Sequence, residues 1–345
     1  YQLKLIPPTG MNNYFYLSTE DKQLVLRQAS ARLGLPPQAI EKDLWVTTIL
    51  QIVFTLPFSD KLIFKGGTSL SKVWCQIERF SEDIDLAVDR SLFGMEGDLT
   101  KKQIKKLRKM SSLFVSEEFC PALQRGIEQY GLSALCSIEP QPDGEGDNTY
   151  PEPRKIFVKY QSVCADPIEY LSPVVMLEIG ARSLLEPNTQ TNIRSMVEEQ
   201  FPTIQTTLVD SLVATALASK TFLEKAFLLH ELFSVEGRGQ TAERKSRHLY
   251  DLSRMMDKDF AIDAINDDEL WESIRHHREI FTSVRDVDYA PDVRKRIILV
   301  PRLDIQAAWE KDYKSMCSSM IFGEKPTFKE LLERMALLEK RFREA

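Results

Sequence analysis

Cysteine and glycine are scarce in this sequence, and long apolar runs are missing from it. Its 345 residues include five cysteines, 14 glycines and 17 prolines. The cysteines are scattered and form no Cys-x-x-Cys pair, which argues against a disulfide framework and a structural zinc site and predicts a reducing, cytoplasmic location. No apolar stretch approaches the roughly 20 residues of a membrane-spanning helix, so we expect no membrane insertion. Neither a collagenous nor a mostly disordered chain fits so little glycine and proline.

The length predicts about two domains, because one domain usually has ~100–200 residues. Hydrophobic residues make up 43% and charged residues 28% of the sequence, which is ordinary for a globular protein. The chain begins with Tyr1, whereas Met11 opens a polar stretch that leads into the first helical pattern. We therefore expect residues 1–10 to be a leader or an expression remnant.

Positive charge is not in excess, since the net charge is −6. The whole-chain charge therefore does not indicate a nucleic-acid-binding protein, although phosphate binding depends on local patches. One basic patch covers residues 294–296, and a denser one consists of Lys101, Lys102, Lys105, Lys106, Arg108 and Lys109. A solvated helix face is the simpler interpretation of the denser patch.

Hydrophobic periodicity predicts a mixed α/β part followed by a mostly helical part. Short β-prone runs predict strands at residues 62–64, 84–88, 156–163 and 174–179. Helical periodicity covers residues 18–33, 40–54, 69–78, 101–130, 208–233, 246–256, 268–283 and 328–342. Residues 140–153 are rich in proline and glycine and predict a loop. We place the domains at residues 11–200 and 201–345, and the pattern assigns no role to residues 92–153.

A glycine pair follows the first predicted strand and precedes a helix. Gly66 and Gly67 come directly after the strand, and Thr68 and Ser69 lead into the helix. Such a turn lets backbone N–H groups approach a phosphate closely, and the start of a helix adds favourable partial charge. It is not a P-loop, because no Gly-Lys-Ser/Thr sequence follows. Taken alone, a Gly-Gly pair is more often a simple turn.

Two aspartates occupy alternate positions at the next predicted strand. Asp83 and Asp85 therefore point to the same face, while Ile84 points to the other. Paired carboxylates repel each other unless a cation lies between them, and such hard oxygen ligands suit Mg²⁺. Glu178, in an apolar strand, is the candidate third carboxylate, because a buried strand has no structural use for an unpaired charge. The simpler alternative is an edge-strand glutamate paired with Arg182.

These runs resemble a known family. Residues 66–72 and 79–86 are similar to the first motif of the AbiEii/AbiGii toxin family of nucleotidyltransferases, which belongs to the DNA polymerase β-like superfamily and includes the MenT toxins. Further similar stretches lie at residues 41–46, 177–183, 221–225, 229–230, 246–252 and 312–316. The resemblance covers about residues 11–335.

The resemblance implies a fold, a reaction and a set of site residues. The fold is an α/β (α+β) polymerase β-like core with a mixed sheet, followed by a mostly helical C-terminal domain. The reaction moves NMP from an NTP to an acceptor hydroxyl and releases pyrophosphate, with Mg²⁺ (or Mn²⁺) as cofactor. The resemblance assigns nucleotide binding to Gly66, Gly67, Thr68, Ser69 and Lys225, metal binding to Asp83, Asp85 and Glu178, and catalysis to these three carboxylates with Lys225 and Asp251. A solvated lysine is the simpler interpretation of Lys225.

The resemblance also implies partners. The acceptor would be the 3′ end of tRNA, and the protein would be the cytoplasmic toxin of a toxin–antitoxin or phage-defence pair with a cognate antitoxin. Two alternatives stay open: transfer to a protein hydroxyl, and a nucleotide-binding regulator without turnover. Outside the motif roles, His230 and His248 are expected to pack or form hydrogen bonds, and Arg247 is a candidate for a phosphate or RNA contact.

Overall fold

Two helices open the described chain and pack together. The structure is a computed structural model and describes residues 13–164, 171–204 and 212–345. Helix α1 spans Thr19–Leu33 and α2 spans Pro37–Val53. The Ser18 hydroxyl accepts a hydrogen bond from the Asp21 amide and caps α1. All side chains from residue 39 to residue 53 are buried, because α2 lies between α1 and the central sheet.

The central sheet is mixed, as predicted. Within the described residues it has seven strands: β1 (Leu62–Lys65), β2 (Ile84–Val88), β3 (Cys136–Pro140), β4 (Arg154–Tyr160), β5 (Val174–Gly180), β6 (Asn188–Asn192) and β7 (Leu212–Ala216). Their order is β3-β4-β5-β2-β1-β7-β6. The pairs β2/β5 and β1/β7 are parallel, and the other neighbours are antiparallel.

The strand register lines up four charged residues across the middle of the sheet. Lys65 of β1 is opposite Asp85 of β2, Asp85 is opposite Glu178 of β5, and Glu178 is opposite Lys155 of β4. Residues directly opposite each other lie on the same face of a sheet. The face therefore carries a row of four charges in the order positive, negative, negative, positive.

Ten more helices complete the described fold. They are α3 (Gly66–Lys72), α4 (Lys101–Phe114), α5 (Cys120–Gln129), α6 (Met196–Gln200), α7 (Ala218–Phe233), α8 (Arg247–Met255), α9 (Asp259–Asn266), α10 (Asp268–Phe281), α11 (Leu303–Ser319) and α12 (Phe328–Glu344). A short π-helix, Val115–Phe119, joins α4 to α5, so the predicted helix over residues 101–130 is nearly continuous. One hydrophobic core lies between the sheet and the early helices, and a second lies among α7 to α12. No described helix has the length and apolar character needed to cross a bilayer.

The prediction of one helix over residues 208–233 is wrong in part. Leu212–Ala216 is strand β7, which pairs with β1 and β6, and the helix begins only at Ala218. A short apolar run has no period that separates a buried strand from a buried helix, which explains the error. The domain boundary predicted near residue 200 falls between two paired strands, β6 and β7.

The helix predicted over 69–78 begins earlier, at Gly66, and ends at Lys72. Residues 1–10 lie outside the described residues.

Candidate active site

A cavity of about 300 Å³ lies where the sheet meets the C-terminal helices. One wall comes from the turn after β1 and from the start of β2, and the other comes from α7, α8 and α10. Of the residues predicted from sequence, the cavity is lined by Gly66, Gly67, Asp83, Asp85 and Lys225. Its lining also contains five further cations, namely Lys65, Arg79, Arg182, Arg247 and Arg278. The cavity thus joins the aspartate pair to a wall of positive charge, in which Glu224 is a further carboxylate and pairs with Lys220.

Gly66 and Gly67 begin α3, and at both positions neighbouring side chains leave no room for a Cβ. Gly66 has φ +83°, and a Cβ there would overlap the Asp85 carboxylate. A Cβ on Gly67 would lie 2.7 Å from Arg79 Nη2 and 2.9 Å from Ser81 Oγ. Real Cβ contacts are almost never this short, so a side chain at either position would displace a cavity-lining group. The glycines let the backbone lie directly against the floor of the cavity.

The hydroxyls of Thr68 and Ser69 stabilise the start of α3 through hydrogen bonds to backbone carbonyl oxygens. Thr68 Oγ1 donates a hydrogen bond to the Asp83 carbonyl oxygen at 2.5 Å, and Ser69 Oγ donates to the Gly66 carbonyl oxygen at 2.9 Å. Both side chains are buried, and neither residue lines the cavity. Their observed contacts position Asp83 and Gly66.

The two aspartates lie on the same wall of the cavity, as alternation along a strand predicts. Burial raises the pKa of Asp83 to about 6, and the charges of Glu82 and Asp85 act in the same direction. Burial also raises the pKa of Asp85, with Glu178 adding to the shift while Lys65 opposes it. Burial and mutual repulsion therefore make full ionisation of this pair unfavourable without a counter-ion.

Glu178 lies beside Asp85 but opens mainly to a neighbouring cavity of about 240 Å³. The two cavities share five lining residues, namely Lys65, Asp85, Arg182, Ser183 and Thr282. The Glu178 carboxylate forms an ion pair with Lys155, at 3.0 Å from Nζ, so the alternative pairing with Arg182 is not what is observed. Arg182 instead pairs with Glu152.

The acidic residues suit a divalent cation that arrives with its substrate. Within the described parts of the chain, no group of three or more His, Cys, Asp or Glu side chains could hold a metal ion. Asp83, Asp85 and Glu178 therefore do not form a ready three-ligand site. Mg²⁺ usually takes one or two protein carboxylates and completes its shell with water and substrate phosphates, which fits the aspartate pair.

Lys225 belongs to a buried group of three charges. Asp251 is 0% exposed, and its carboxylate accepts hydrogen bonds from Arg79 Nε at 2.6 Å and Arg79 Nη2 at 2.7 Å. The same carboxylate lies 2.9 Å from Lys225 Nζ. Burial alone would raise the pKa of Asp251, but the two cations and their hydrogen bonds hold it well below its usual range. Asp251 therefore stays ionised and fixes both cations at the cavity wall.

His248 is a site residue whose place the sequence did not indicate. Its Nδ1 lies 3.4 Å from Lys225 Nζ, and burial together with the charges of Lys225 and Arg247 holds its pKa well below the usual value. His248 is therefore neutral and accepts a hydrogen bond from the lysine. The available signal was its spacing of three residues from Asp251 on α8, which puts both side chains on the face toward α7.

Arg247 and Lys65 are the cations of the cavity with the loosest internal pairing. Arg247 Nη1 lies 4.0 Å from Asp83 Oδ2, and no carboxylate in the described chain lies within that distance of Lys65 Nζ. By contrast, Arg278 pairs closely with Glu231. His230 lies away from the cavity lining and accepts a hydrogen bond from the Ile298 amide, in line with its expected hydrogen-bonding role.

A mixed sheet, a glycine turn, a strand-borne aspartate pair and a cationic wall define a phosphoryl-transfer enzyme of the nucleotidyltransferase class. The chain belongs to the AbiEii family of nucleotidyltransferase toxins from type IV toxin–antitoxin systems, whose family model matches residues 49–334. It is therefore a nucleotidyltransferase toxin that uses an NTP and has an antitoxin as its partner. The sequence-based assignment to this family is confirmed.

Solved structures with similar folds share little sequence with this chain. MenT4, a nucleotidyltransferase toxin of Mycobacterium tuberculosis H37Rv, is 16% identical with a TM-score of 0.47, and the match covers 95% of this chain and 93% of MenT4. JHP933 of Helicobacter pylori is 14% identical with a TM-score of 0.43, over 90% of this chain and 94% of JHP933. A comparison with curated proteins finds no match.

Proposed function

We propose that this toxin transfers NMP from an NTP to the 3′-terminal hydroxyl of tRNA and releases pyrophosphate. The observation that carries the proposal is the single cavity in which Asp83 and Asp85 face Lys225 and Arg247. Carboxylates suit the metal-assisted attack of a hydroxyl, and cations suit the departing pyrophosphate. Growth arrest, phage defence and a cytoplasmic location belong to the same proposal and follow from the toxin family.

The metal would be held by Asp83 and Asp85, with Glu178 beside them in register. Either Mg²⁺ or Mn²⁺ fits this oxygen donor set. When bound, such an ion neutralises phosphate charge and favours the ionised form of the attacking hydroxyl. The raised pKa values of the two aspartates support this role, because burial and neighbouring carboxylates outweigh the cations nearby, such as Arg247 and Lys65.

Lys225 is the residue best placed to bind the triphosphate. A lysine ammonium has three N–H donors. One is directed to Asp251 at 2.9 Å and one to His248 at 3.4 Å, which leaves the third for a phosphate oxygen in the cavity. The loosely paired cations Arg247 and Lys65 add charge on either side. The backbone at Gly66 completes the phosphate site.

The two predicted parts of the chain have separate tasks in this proposal. The core within residues 11–200 carries the aspartates and the acceptor side. The helical part within residues 201–345 supplies Lys225, Asp251 and Arg247, and closes the cavity over the nucleotide. Thr68 and Ser69 act indirectly, by holding the turn that faces the phosphates.

The test is transfer of label from each of four α-³²P NTPs to total tRNA or total cell protein. Reactions contain Mg²⁺, Mn²⁺ or EDTA, and compare the wild type with Asp83→Asn and Asp85→Asn. The matched control is Asp304→Asn, since the Asp304 carboxyl is 61% exposed and does not line the cavity. We expect label on tRNA, loss of transfer by at least about 10³-fold in both site variants and in EDTA, and normal transfer in the control.

Other outcomes of this experiment contradict separate parts of the proposal. Label on protein alone would reject the tRNA acceptor and favour transfer to a protein hydroxyl. NTP binding without pyrophosphate release would indicate a regulator. Near-normal transfer by Asp85→Asn would reject the metal assignment.

A further inference from the structure

One surface of the protein concentrates positive charge outside the cavity. We call it the basic face of α4, and it consists of Lys101, Lys102, Lys105, Lys106, Arg108 and Lys109. All of these except Arg108 are exposed, and the helix contains no acidic residue. This concentration stands out in a chain whose net charge is −6.

Repulsion between the lysines of the basic face destabilises helix α4. Lysines four residues apart on a helix are neighbours, and like charges at that spacing destabilise it. Lys102 and Lys106 stand in this relation. A capping box at Thr100, rather than charge pairing, fixes the start of α4. An anion lying on this face would relieve the repulsion.

The basic face also borders a groove of about 300 Å³. Lys101, Lys105, Arg108 and Lys109 line it together with Ile104 and Tyr150. Lys109 Nζ lies 5.1 Å from the centre of the Tyr150 ring, a cation–π contact that directs the ammonium group. Arg108 Nε is buried and has no hydrogen-bond partner within the described chain. Cations beside an aromatic ring in a groove are typical of surfaces that follow a nucleic-acid backbone.

Two connections bring the basic face close to the site of transfer. Just before α4, Asp98 contacts His276 of α10 at 2.9 Å, and the next residue, His277, lines the main cavity. On the other side, Tyr150 lies two residues before Glu152, which lines the smaller cavity next to Glu178. Two residues span at most about 7 Å of chain. Both connections put the groove within a few residues of a cavity along the chain, although α4 itself packs on the sheet face opposite the acidic row.

We propose that the basic face of α4 binds the phosphodiester backbone of the RNA acceptor while its 3′ end enters the cavity. The proposal rests on the proposed function, because it presumes an RNA acceptor. The five exposed lysines of the face favour RNA, which is a regular polyanion, as the occupant. The aromatic wall of the groove favours it too, because bases stack on such rings.

The test replaces three groove-lining, exposed lysines with glutamine: Lys101→Gln, Lys105→Gln and Lys109→Gln in one chain. The matched control makes the same charge change on α11 and α12, where exposed lysines line neither cavity: Lys314→Gln, Lys329→Gln and Lys340→Gln. For both variants and the wild type we measure the Kd for bulk tRNA at several salt concentrations. We also measure transfer to full-length tRNA and to an RNA trinucleotide.

Loss of three phosphate contacts should weaken tRNA binding by about tenfold to a few hundredfold at 0.1 M salt, and lower the slope of log K against log salt by about 2–3. The KM for tRNA should rise accordingly. Transfer to the trinucleotide, which has only two internal phosphodiesters, should change much less than transfer to full-length tRNA, and all values for the control should stay within about twofold of the wild type.

The contrary results are distinct. If the triple variant binds tRNA with the affinity and salt slope of the wild type, the basic face is not the RNA surface. Displacement of tRNA by poly-L-glutamate at equal charge concentration would also overturn the proposal, because the face would then suit an acidic protein. If the wild type labels no tRNA at all, the proposed function fails instead. Normal wild-type labelling with an unaffected triple variant would refute only the RNA surface.

Discussion

Replacing Asp251 with asparagine is expected to have two effects: it should destabilise the protein and it should stop transfer. Asp251 is 0% exposed and is the shared partner of Arg79, which is 1% exposed, and of Lys225, which is 7% exposed. An amide has the shape of the carboxylate but no charge, and its NH₂ group would face N–H donors. Two cations would then stay buried without their counter-charge.

The magnitude follows from the burial of this group. Breaking a buried ion pair by removing one partner costs about 3–5 kcal/mol. A total free energy of unfolding is usually about 5–15 kcal/mol, so this is a large fraction of it. At about 2 °C per kcal/mol, as for large domains, Tm should fall by about 6–10 °C. Transfer should fall by at least about 10²-fold, because Lys225 loses the contact that holds it at the cavity wall.

Lys225→Met separates the two effects. That variant keeps the two hydrogen bonds between Arg79 and Asp251, so it should lose about 1–3 kcal/mol while transfer falls as far as in Asp251→Asn. Asp304→Asn is the control, because its exposed pair with Arg302 contributes at most about 1 kcal/mol. Calorimetry and labelled-NTP transfer are measured on all three. The reasoning is refuted if Asp251→Asn melts within about 2 °C of the wild type, or if it keeps normal transfer.

Gly67→Ala should reduce transfer at least about tenfold and cost about 1–3 kcal/mol, because the added Cβ would lie 2.7 Å from Arg79 Nη2, which Asp251 holds in place. Normal kinetics in that variant would show that the turn yields without disturbing the site. The burial of Asp251 against Arg79 and Lys225 should also make the free energy of unfolding depend on pH. Since the pKa of Asp251 is lower in the folded than in the unfolded chain, its contribution is fully present above the unfolded value of about 3.9 and is lost as pH falls below it. Urea unfolding between pH 3 and 7 should therefore show a stability difference between the wild type and Asp251→Asn that narrows as the pH falls to 3; a constant difference would contradict the assigned shift.

Alternation along a strand fixes which side chains share a face, so local patterns could predict where the acidic side chains lie. Asp83 and Asp85 line one wall, and the strand that carries Glu178 was predicted almost to its ends. The register that puts Glu178 opposite Asp85 was not predictable in the same way. It depends on which strands become neighbours in a parallel pair, and that choice is made by packing far along the chain.

The cationic wall shows where sequence patterns stop being informative. Arg79 and Asp251 are 172 residues apart, and the residues around Arg79 give no sign of this partner. Only the family resemblance indicated Lys225 and Asp251, because a charge in a helix carries no sign of its distant partner. The polar edge strand β6, Asn188–Asn192, escaped prediction for a related reason, since it lacks the alternating apolar pattern and is held by pairing with β7.

Each wall of the cavity holds buried charged groups whose ionised form is disfavoured. The sheet side carries carboxylates whose pKa values are raised by burial and mutual repulsion. On the helix side, Lys225 is buried so deeply that its pKa is lowered despite the contact with Asp251. A metal ion with a triphosphate carries positive charge for the first wall and negative charge for the second. In the proposed function, the NTP and its metal ion would add counter-charge at both walls, so the local charges of the site rather than the net charge of −6 would decide whether a polyanion binds.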